Sequence, residues 1–206
     1  MIFAKSPFWA IAGAAKNAPR WTGVQREGTF MLRTILIYGL IGGLIVSVPM
    51  NVMMLVWGKE AQGSLVIGYT TMIVALTTIF IGVKSYRDKA LGGVIKFFPA
   101  LLVGLGISVV ASVIYVAAWD LSLALTHWDF MADYTRGQIE AQKAKGVAGP
   151  QLDAFIAEMN AMKVNYANPL FRWPMTFIEP FPVGVLISLI SAALLRNSRF
   201  MPARKI

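Results

Sequence analysis

The sequence predicts an all-α membrane protein with four transmembrane helices and a short helical extracytoplasmic segment between the third and the fourth. Three observations lead to this fold class. Hydrophobic residues make up 57% of the 206 residues and charged residues only 14%, which is far from the balance of a soluble domain. The apolar runs are about 20 residues long, the length with which an α-helix crosses ~30 Å of hydrocarbon. The basic residues collect on alternate connections between these runs.

The domain organisation follows from the positions of the apolar runs. Residues 1–30 are predicted to be a cytoplasmic lead upstream of a natural start at Met31. Residues 31–197 are predicted to form the membrane domain, and residues 198–206 a basic cytoplasmic tail. Its four spans are predicted at residues 34–57, 64–83, 99–120 and 177–195. An outer helical segment is predicted before the last span, at residues 127–169.

The first span, Thr34–Trp57, carries no charge over 24 residues, which is longer than the hydrocarbon core requires. We therefore expect it to tilt or kink, and Pro49 is the expected position of a kink. Asn51, close by, is expected to hydrogen bond to a backbone carbonyl. The second span, Ser64–Val83, is rich in threonine, a residue that hydrogen bonds within or between helices.

A short basic turn follows the second span. It contains four basic residues against the single acid Asp88, a balance typical of loops that stay on the cytoplasmic side. Arg87 and Asp88 are expected to form a local ion pair. Gly92 and Gly93 allow the chain to break before the third span. The basic side chains of the turn are candidate contacts for anionic lipid headgroups: Lys84, Arg87, Lys89 and Lys96.

The outer segment, residues 127–169, is predicted to form two short helices on either side of a turn at 146–150. The second of these has apolar residues at spacings of three and four, which predicts a helix with one packing face; the alternative is that this face forms a groove for a partner. These residues are Leu152, Phe155, Ile156, Met159 and Met162. The fourth span is irregular at its entrance, where prolines interrupt the helix at Pro174, Pro180 and Pro182.

The distribution of charge predicts the orientation of the chain. The segments predicted to be cytoplasmic, residues 1–33, the basic turn and residues 196–206, hold 13 of the 19 basic residues and two acids, a net charge of +11. The other connections hold six basic residues and eight acids, a net charge of −2. By the positive-inside rule, both termini lie in the cytoplasm of a multi-pass protein of the cell (inner) membrane. The same distribution explains the basic character of the chain without a nucleic-acid partner.

Small residues recur at every fourth position in three spans. Such a stripe forms a groove on one face of a helix, so that backbones approach closely. The stripes favour packing within one bundle over a homodimer interface, which is the alternative. They consist of Gly39, Gly43 and Ser47, of Gly104, Ser108 and Ser112, and of Gly184, Ser188 and Ala192.

The residue inventory gives little support to catalysis. The chain has no cysteine, which excludes disulfides and thiolate chemistry, and a single histidine, His127, which excludes a two-histidine metal motif. We interpret His127, Asp129 and Asp133 as ordinary surface residues rather than as a metal site. No phosphate-binding loop, dinucleotide fingerprint or serine-hydrolase motif occurs. We expect neither a catalytic residue nor a cofactor.

Several stretches resemble a bacterial family of integral membrane proteins catalogued as domain of unknown function 4199. They are the opening from Met31, Gly68-Tyr-Thr-Thr-Met, and the turn Lys84-Ser-Tyr-Arg-Asp-Lys with Gly92-Gly93-Val-Ile-Lys-Phe. The similarity runs from Met31 to about Asn197 and includes the closing Leu186-Ile-Ser-Leu-Ile-Ser. The resemblance implies four spans and an integral membrane protein, and it brings no activity.

Two acids, Asp120 and Glu179, lie within or beside a span, and with Asn51 they form the candidate ion or proton site. Each acid also has a simpler interpretation, as a solvated side chain or a helix cap. The preferred function is that of a non-enzymatic accessory or interaction subunit. Its partners would be anionic lipid headgroups, another membrane protein or a second copy. The alternative is a small oligomeric transporter or channel that uses Asp120 and Glu179.

Overall fold

The computed structural model describes residues 21–57, 65–127 and 129–203. Within these ranges the chain forms seven α-helices joined by turns, so the all-α prediction is confirmed. Most of the predicted lead, the connector after the first span, and the last residues of the basic tail lie outside the described ranges. The helices are α1 (Trp21–Trp57), α2 (Leu65–Ala90), α3 (Phe97–Thr126), α4 (Phe130–Ala144), α5 (Pro150–Tyr166), α6 (Pro169–Ile178) and α7 (Phe181–Leu195).

Three helices are long and apolar enough to cross a membrane: Glu27–Val52 within α1, Phe97–Thr126, and Pro169–Leu195, which combines α6 and α7. Pro49 lies inside the unbroken α1. The fourth predicted run is helical from Pro169, earlier than the expected 177, and the break falls at Glu179–Pro180. Helix α2 covers the second predicted run, whose first residue, Ser64, lies outside the described ranges.

Glycines set the close approach between α1 and α3. A Cβ atom placed on Gly39 would lie 2.5 Å from Cβ of Val110, and one on Gly43 would lie 2.7 Å from Cβ of Ile114. Only glycine allows such a separation between two helices. Residue numbers increase together along this contact, so α1 and α3 are parallel.

The contacts of α7 with α3 and of α2 with α1 are antiparallel. A Cβ atom on Gly104 would lie 2.8 Å from Cβ of Ser188, and one on Gly184 would lie 2.8 Å from Cβ of Ser108, which orients α7 against α3. Gly42 faces Thr78, and Gly82 faces Tyr38, which orients α2 against α1. The small-residue stripes of the sequence therefore pack inside one bundle of four helices, α1, α2, α3 and α7, with alternating direction.

The bundle has two distinct ends. Residues 27–33 of α1, the first turn of α3 and the last turns of α2 and α7 lie at one end, which we call the basic end because it carries Arg33, Lys84, Lys89, Lys96, Arg196 and Arg199. Helices α4 to α6 lie at the other, which we call the hairpin end. The core between the ends is apolar and centres on Met72, Leu76, Ile79, Val83, Ala100, Val103, Ile107, Ala192 and Leu195.

The lateral surface of the bundle is apolar as well. On α1 a broad face of large aliphatic side chains is exposed: Leu32, Leu36, Ile37, Leu40, Ile41, Leu44, Ile45, Val48 and Val52. Exposed Leu102, Val109 and Val113 continue this surface on α3. A contiguous apolar surface of this extent is unusual for a soluble monomer and is the normal exterior of a helix bundle in lipid.

The predicted pair of short helices is present as α4 and α5, which form the hairpin. Asp129 caps α4 by accepting a hydrogen bond from the backbone N–H of Ala132, and Pro150 opens α5 after Gly149, whose φ is 63°. The predicted apolar face of α5 packs inward: Met159 is buried, and Leu152, Phe155, Ile156 and Met162 are half-buried.

Candidate functional site

Asp120 lies near the end of α3 and is held by two residues of α6. Arg172 Nε donates to Asp120 Oδ1 at 2.7 Å, and the indole N–H of Trp173 donates to the other carboxylate oxygen. Arg172 also lies over the ring of Tyr166, 5.6 Å from its centroid, and donates to the Tyr166 carbonyl oxygen. The charge of Asp120 is therefore neutralised inside the protein, and this contact fixes α6 on α3.

Glu179 has a different environment. It ends α6, directly before the break at Pro180, and its Oε2 accepts a hydrogen bond of 3.1 Å from the hydroxyl of Tyr115 on α3. No basic side chain pairs with this carboxyl group among the residues that the structure describes. The side chain is exposed on the lateral surface, whereas Tyr115 is buried.

Asn51 connects α1 to α3. Its Nδ2 donates to the carbonyl oxygens of Ser47, at 3.0 Å, and Ala118, at 3.4 Å, and its Oδ1 accepts from the hydroxyl of Ser122. The expected bond to a backbone carbonyl is therefore present. Ala118 and Ser122 flank Asp120 along α3, so Asn51 reaches the level of that acid.

The three residues nevertheless do not share a contact in the described part of the chain. Tyr115, which holds Glu179, precedes Asp120 by five residues, about 7.5 Å along an α-helix. Asp120 binds α6, Glu179 binds α3, and Asn51 joins α1 to α3. The predicted site is thus three separate polar contacts, of which only that of Glu179 contains an acid without a basic partner.

An aromatic cluster that was not predicted from the sequence attaches the hairpin to the bundle. The indole N–H of Trp119 donates to the Tyr166 hydroxyl at 2.8 Å. The Trp119 ring packs edge-on against Phe130, with the centroids 5.0 Å apart, and Phe130 also contacts Tyr166. Burial raises the pKa of Tyr166 above its ordinary value. The signal in the sequence was the concentration of aromatic residues at the ends of the spans.

The basic end contains an arginine with no exposed surface. Arg87 is 0% exposed and donates from Nη1 to the carbonyl oxygens of Phe200, at 2.9 Å, and Leu195, at 3.5 Å. Its Nη2 donates to the carbonyl oxygen of Met201. The guanidinium group therefore satisfies carbonyls at the end of α7 and in the segment that follows. Because its side chain is buried, Arg87 is not positioned to contact lipid headgroups, contrary to the prediction from the sequence.

Asp88 completes this arrangement. It accepts from Arg87 Nε at 2.7 Å and from Lys84 Nζ, so the expected ion pair with Arg87 is present. Partial burial opposes the charged form, but hydrogen bonds from Arg87 and Lys84 prevail and hold the pKa of Asp88 below its ordinary value. Lys89 and Lys96 are exposed and remain available as headgroup contacts.

The acids near His127 form local contacts. Asp129 pairs with Lys163 at 3.0 Å, and this contact, with the Ala132 backbone bond, lowers the pKa of Asp129. Asp133 pairs with Arg136 on the same helix. Within residues 21–57, 65–127 and 129–203, no group of three or more His, Cys, Asp or Glu side chains is arranged to hold a metal ion.

A family model described as a protein of unknown function, DUF4199, matches residues 37–197. This match covers well over half of the chain. The chain belongs to the DUF4199 family. No curated protein matches the sequence, and no solved structure matches it either.

The DUF4199 match contains Asn51, Arg87, Asp88, Asp120 and Glu179, whereas Phe200 and Met201, whose carbonyl oxygens bind Arg87, lie beyond its end. The resemblance was predicted to run from Met31 to about Asn197. The match begins six residues after Met31 and ends at Asn197. The segment that carried the resemblance, Lys84 to Gly93, also has a structural explanation in this DUF4199 protein. Gly92 and Gly93 have positive φ angles of 65° and 94°, and the Gly93 N–H donates to the Arg87 carbonyl oxygen at 2.9 Å, which ends α2 beside the buried guanidinium.

Proposed function

We propose that this protein crosses the inner membrane four times, with α1, α2, α3 and residues 177–195 (the end of α6 and the whole of α7) as the crossing segments and both termini in the cytoplasm. The alternating direction of these helices supports four crossings, since α2 runs along the others inside the same bundle. The concentration of basic residues at the basic end supports a cytoplasmic location for that end. Exposed Lys89 and Lys96 would then contact anionic headgroups, together with the partly exposed Lys84.

We infer that its role is non-enzymatic, that of an accessory or interaction subunit. The observation that carries this proposal is the attachment of the hairpin to α3 through Trp119, Tyr166 and Phe130, together with the pair of Arg172 and Asp120. A fixed surface loses little conformational freedom on binding, which favours recognition of a partner. Its outward side chains are largely polar and include Arg136, Glu140, Lys143, Lys145, Asp153 and Glu158.

The topology is tested by labelling single cysteines in intact cells with a reagent that does not cross membranes. The chain has no native cysteine, so each substitution is the only thiol. Ser85→Cys at the basic end should be protected until the membrane is opened, whereas Ala148→Cys in the hairpin should label directly. Labelling of both from the same side would contradict four crossings.

The interaction role is tested by placing a photo-crosslinking residue at exposed Gln151 of the hairpin in cells. A defined adduct to one membrane protein, or to a second copy, is expected at this position. Leu36 on the lateral face of α1 is the matched control, since it should face lipid and yield no such adduct. Equal adduct formation at both positions would argue against recognition by the hairpin.

The alternative, a small oligomeric transporter or channel, has one supporting observation: Glu179 stands at a break in a candidate span. Because Asp120 is paired with Arg172, this alternative would depend on Glu179 rather than on both acids. Purified protein in liposomes, assayed for proton and cation flux, separates the two functions. Flux that Glu179→Gln abolishes would favour the transporter, and absence of flux would favour the interaction subunit.

A further inference from the structure

The contact between Tyr115 and Glu179 lies at a depth that the helix geometry defines. Glu179 precedes Arg196, the cap residue at the basic end of α7, by 17 residues, or about 25 Å at 1.5 Å per residue. Tyr115 follows Lys96, the cap residue of α3, by 19 residues, or about 28 Å. Both distances are shorter than the ~30 Å thickness of a bilayer core. The two estimates agree, so the contact lies just inside the hydrocarbon edge at the hairpin end.

Asp120 provides an internal comparison on the same helix. It follows Lys96 by 24 residues, about 36 Å, which places it beyond the hydrocarbon edge. It is also paired with Arg172. The two acids of the predicted site therefore differ in both respects that determine whether a carboxyl group holds a charge, namely depth and the presence of a basic partner.

The surface around Glu179 is apolar. Its neighbour Ile178 is 66% exposed, and Leu186, one turn into α7, is 57% exposed. These side chains belong to the lateral surface that faces lipid in the proposed arrangement. In the proposed arrangement the Glu179 carboxyl group is thus exposed toward hydrocarbon, and within the described ranges it receives one hydrogen bond, from Tyr115.

The charged and titratable groups on the surrounding helices are few. Helix α3 contributes Tyr115, α5 contributes Tyr166, and the guanidinium group of Arg172 on α6 is engaged by Asp120. Helix α7 contains no charged residue, and α1 contributes the neutral amide of Asn51 at this end. An ionised Glu179 would have no cation beside it in the described part of the chain. A charge in hydrocarbon without a partner is costly, and uptake of a proton removes that cost.

We propose that Glu179, positioned by the Tyr115 hydroxyl, is a proton-binding site on the lipid-facing surface of the bundle. This inference rests on the four-span arrangement proposed above. The proton resides on the carboxyl group of Glu179, and Tyr115 is a positioning residue that donates to the second oxygen. Proton exchange takes place toward the hairpin end, because the hydrocarbon edge is close there.

A hydrophobic carbodiimide tests this site, because it partitions into lipid and reacts with a protonated carboxyl group. The acid proton moves to a carbodiimide nitrogen and the carboxylate adds to the central carbon; rearrangement then gives a stable acylurea, with no atom lost. Native membrane vesicles that contain the full chain are treated across a range of pH values, and the labelled residue is identified by mass spectrometry. We expect label on Glu179 and not on Asp120, falling as the pH rises.

Two variants sharpen the experiment. Glu179→Gln should remove the label while leaving the protein folded, since the amide still accepts from Tyr115. Tyr115→Phe should retain the label and shift its loss to higher pH, because the hydroxyl group stabilises the ionised carboxylate more than the acid. An unchanged pH profile in Tyr115→Phe would overturn the role of that residue.

Three results would overturn the site. They are labelling of Glu179 by a water-soluble carbodiimide alone, equal labelling of Asp120 and Glu179, and protection of Glu179 by sodium at constant pH. The cysteine-labelling experiment at Ser85 and Ala148 is independent of these outcomes. If the topology holds and Glu179 does not react, the proton site alone is wrong; if the topology fails, the depth argument fails with it.

Discussion

Replacing Arg87 by alanine should destabilise the protein more than any other single loss of charge at the basic end. The change removes the Nε contact to Asp88 and the donors to the carbonyl oxygens of Leu195, Phe200 and Met201. It also leaves a void in a site with 0% exposure. Breaking a buried ion pair by removing one partner typically costs about 3–5 kcal/mol, or two to three and a half powers of ten in the folding equilibrium.

The assay combines thermal unfolding in lipid-containing micelles with limited trypsin digestion. The segment after α7 contains exposed Arg196 and Arg199, which become better substrates once the carbonyls around them lose their donor. Arg87→Ala should therefore lower the melting temperature and accelerate cleavage after α7. Arg87→Lys should recover part of the stability only, since an ammonium group cannot reproduce the fork of donors.

Lys89→Ala is the matched control, because it removes one positive charge from an exposed side chain two residues away. Surface substitutions of this kind usually change stability by less than about 0.5 kcal/mol. If Arg87→Ala were as stable and as resistant to trypsin as Lys89→Ala, the guanidinium group would not hold the end of α7. Arg87 would then have to be reconsidered as a contact for lipid.

Three further predictions concern other contacts. Gly184→Leu should lower the melting temperature by separating α7 from α3, since even a Cβ atom would meet Ser108 Oγ at 2.7 Å; an unchanged melting temperature would contradict this packing. The pKa of Asp88 is lower in the folded than in the unfolded protein, so Asp88 stabilises the fold above its unfolded pKa, and this stability is lost as the pH falls through its folded pKa. Asp88→Asn should therefore reduce the loss of stability at acid pH in a profile of unfolding free energy against pH. An unchanged loss at acid pH would contradict this role. Trp119→Phe removes the hydrogen bond to Tyr166, about 0.5–1.5 kcal/mol, and should speed amide exchange in the hairpin but not in α2.

Helix positions were predictable from the sequence because each depends on a local property. An uncharged run long enough to cross a bilayer becomes a helix regardless of its neighbours, and α1 and α3 follow this rule. The stripes of small residues also predicted internal packing, and Gly104 and Gly184 show why: each admits a serine of the opposite helix where a larger side chain would not fit. Helix ends were less predictable, as α6 shows, because Pro174 is accommodated within the helix.

The partners of polar side chains were not predictable, because they lie far apart along the chain. Arg87 binds carbonyls more than 100 residues away, and nothing around it distinguishes it locally from the exposed Lys89. The partner of Asp120 is similarly remote, since Arg172 lies 52 residues further along the chain. Sequence reasoning identified the acids that required an explanation, whereas the structure identified their partners.

Glu179 is the acid whose role most needs an explanation, because Asp88 and Asp120 are paired with arginines and Glu179 is not paired with a basic residue among the described residues. Asp120 contacts Arg172 and thereby joins α3 to α6, whereas Asp88 contacts Arg87 of its own helix, whose guanidinium group binds the end of α7. Among the residues that the structure describes, the Glu179 carboxyl group hydrogen bonds to a tyrosine hydroxyl alone, at a helix break that lies inside the hydrocarbon edge in the proposed arrangement. An acid that stabilised the fold alone would be better served by glutamine, which accepts the same hydrogen bond without a charge to desolvate. The proton-binding site that we propose at Glu179 accounts for a glutamate at this position.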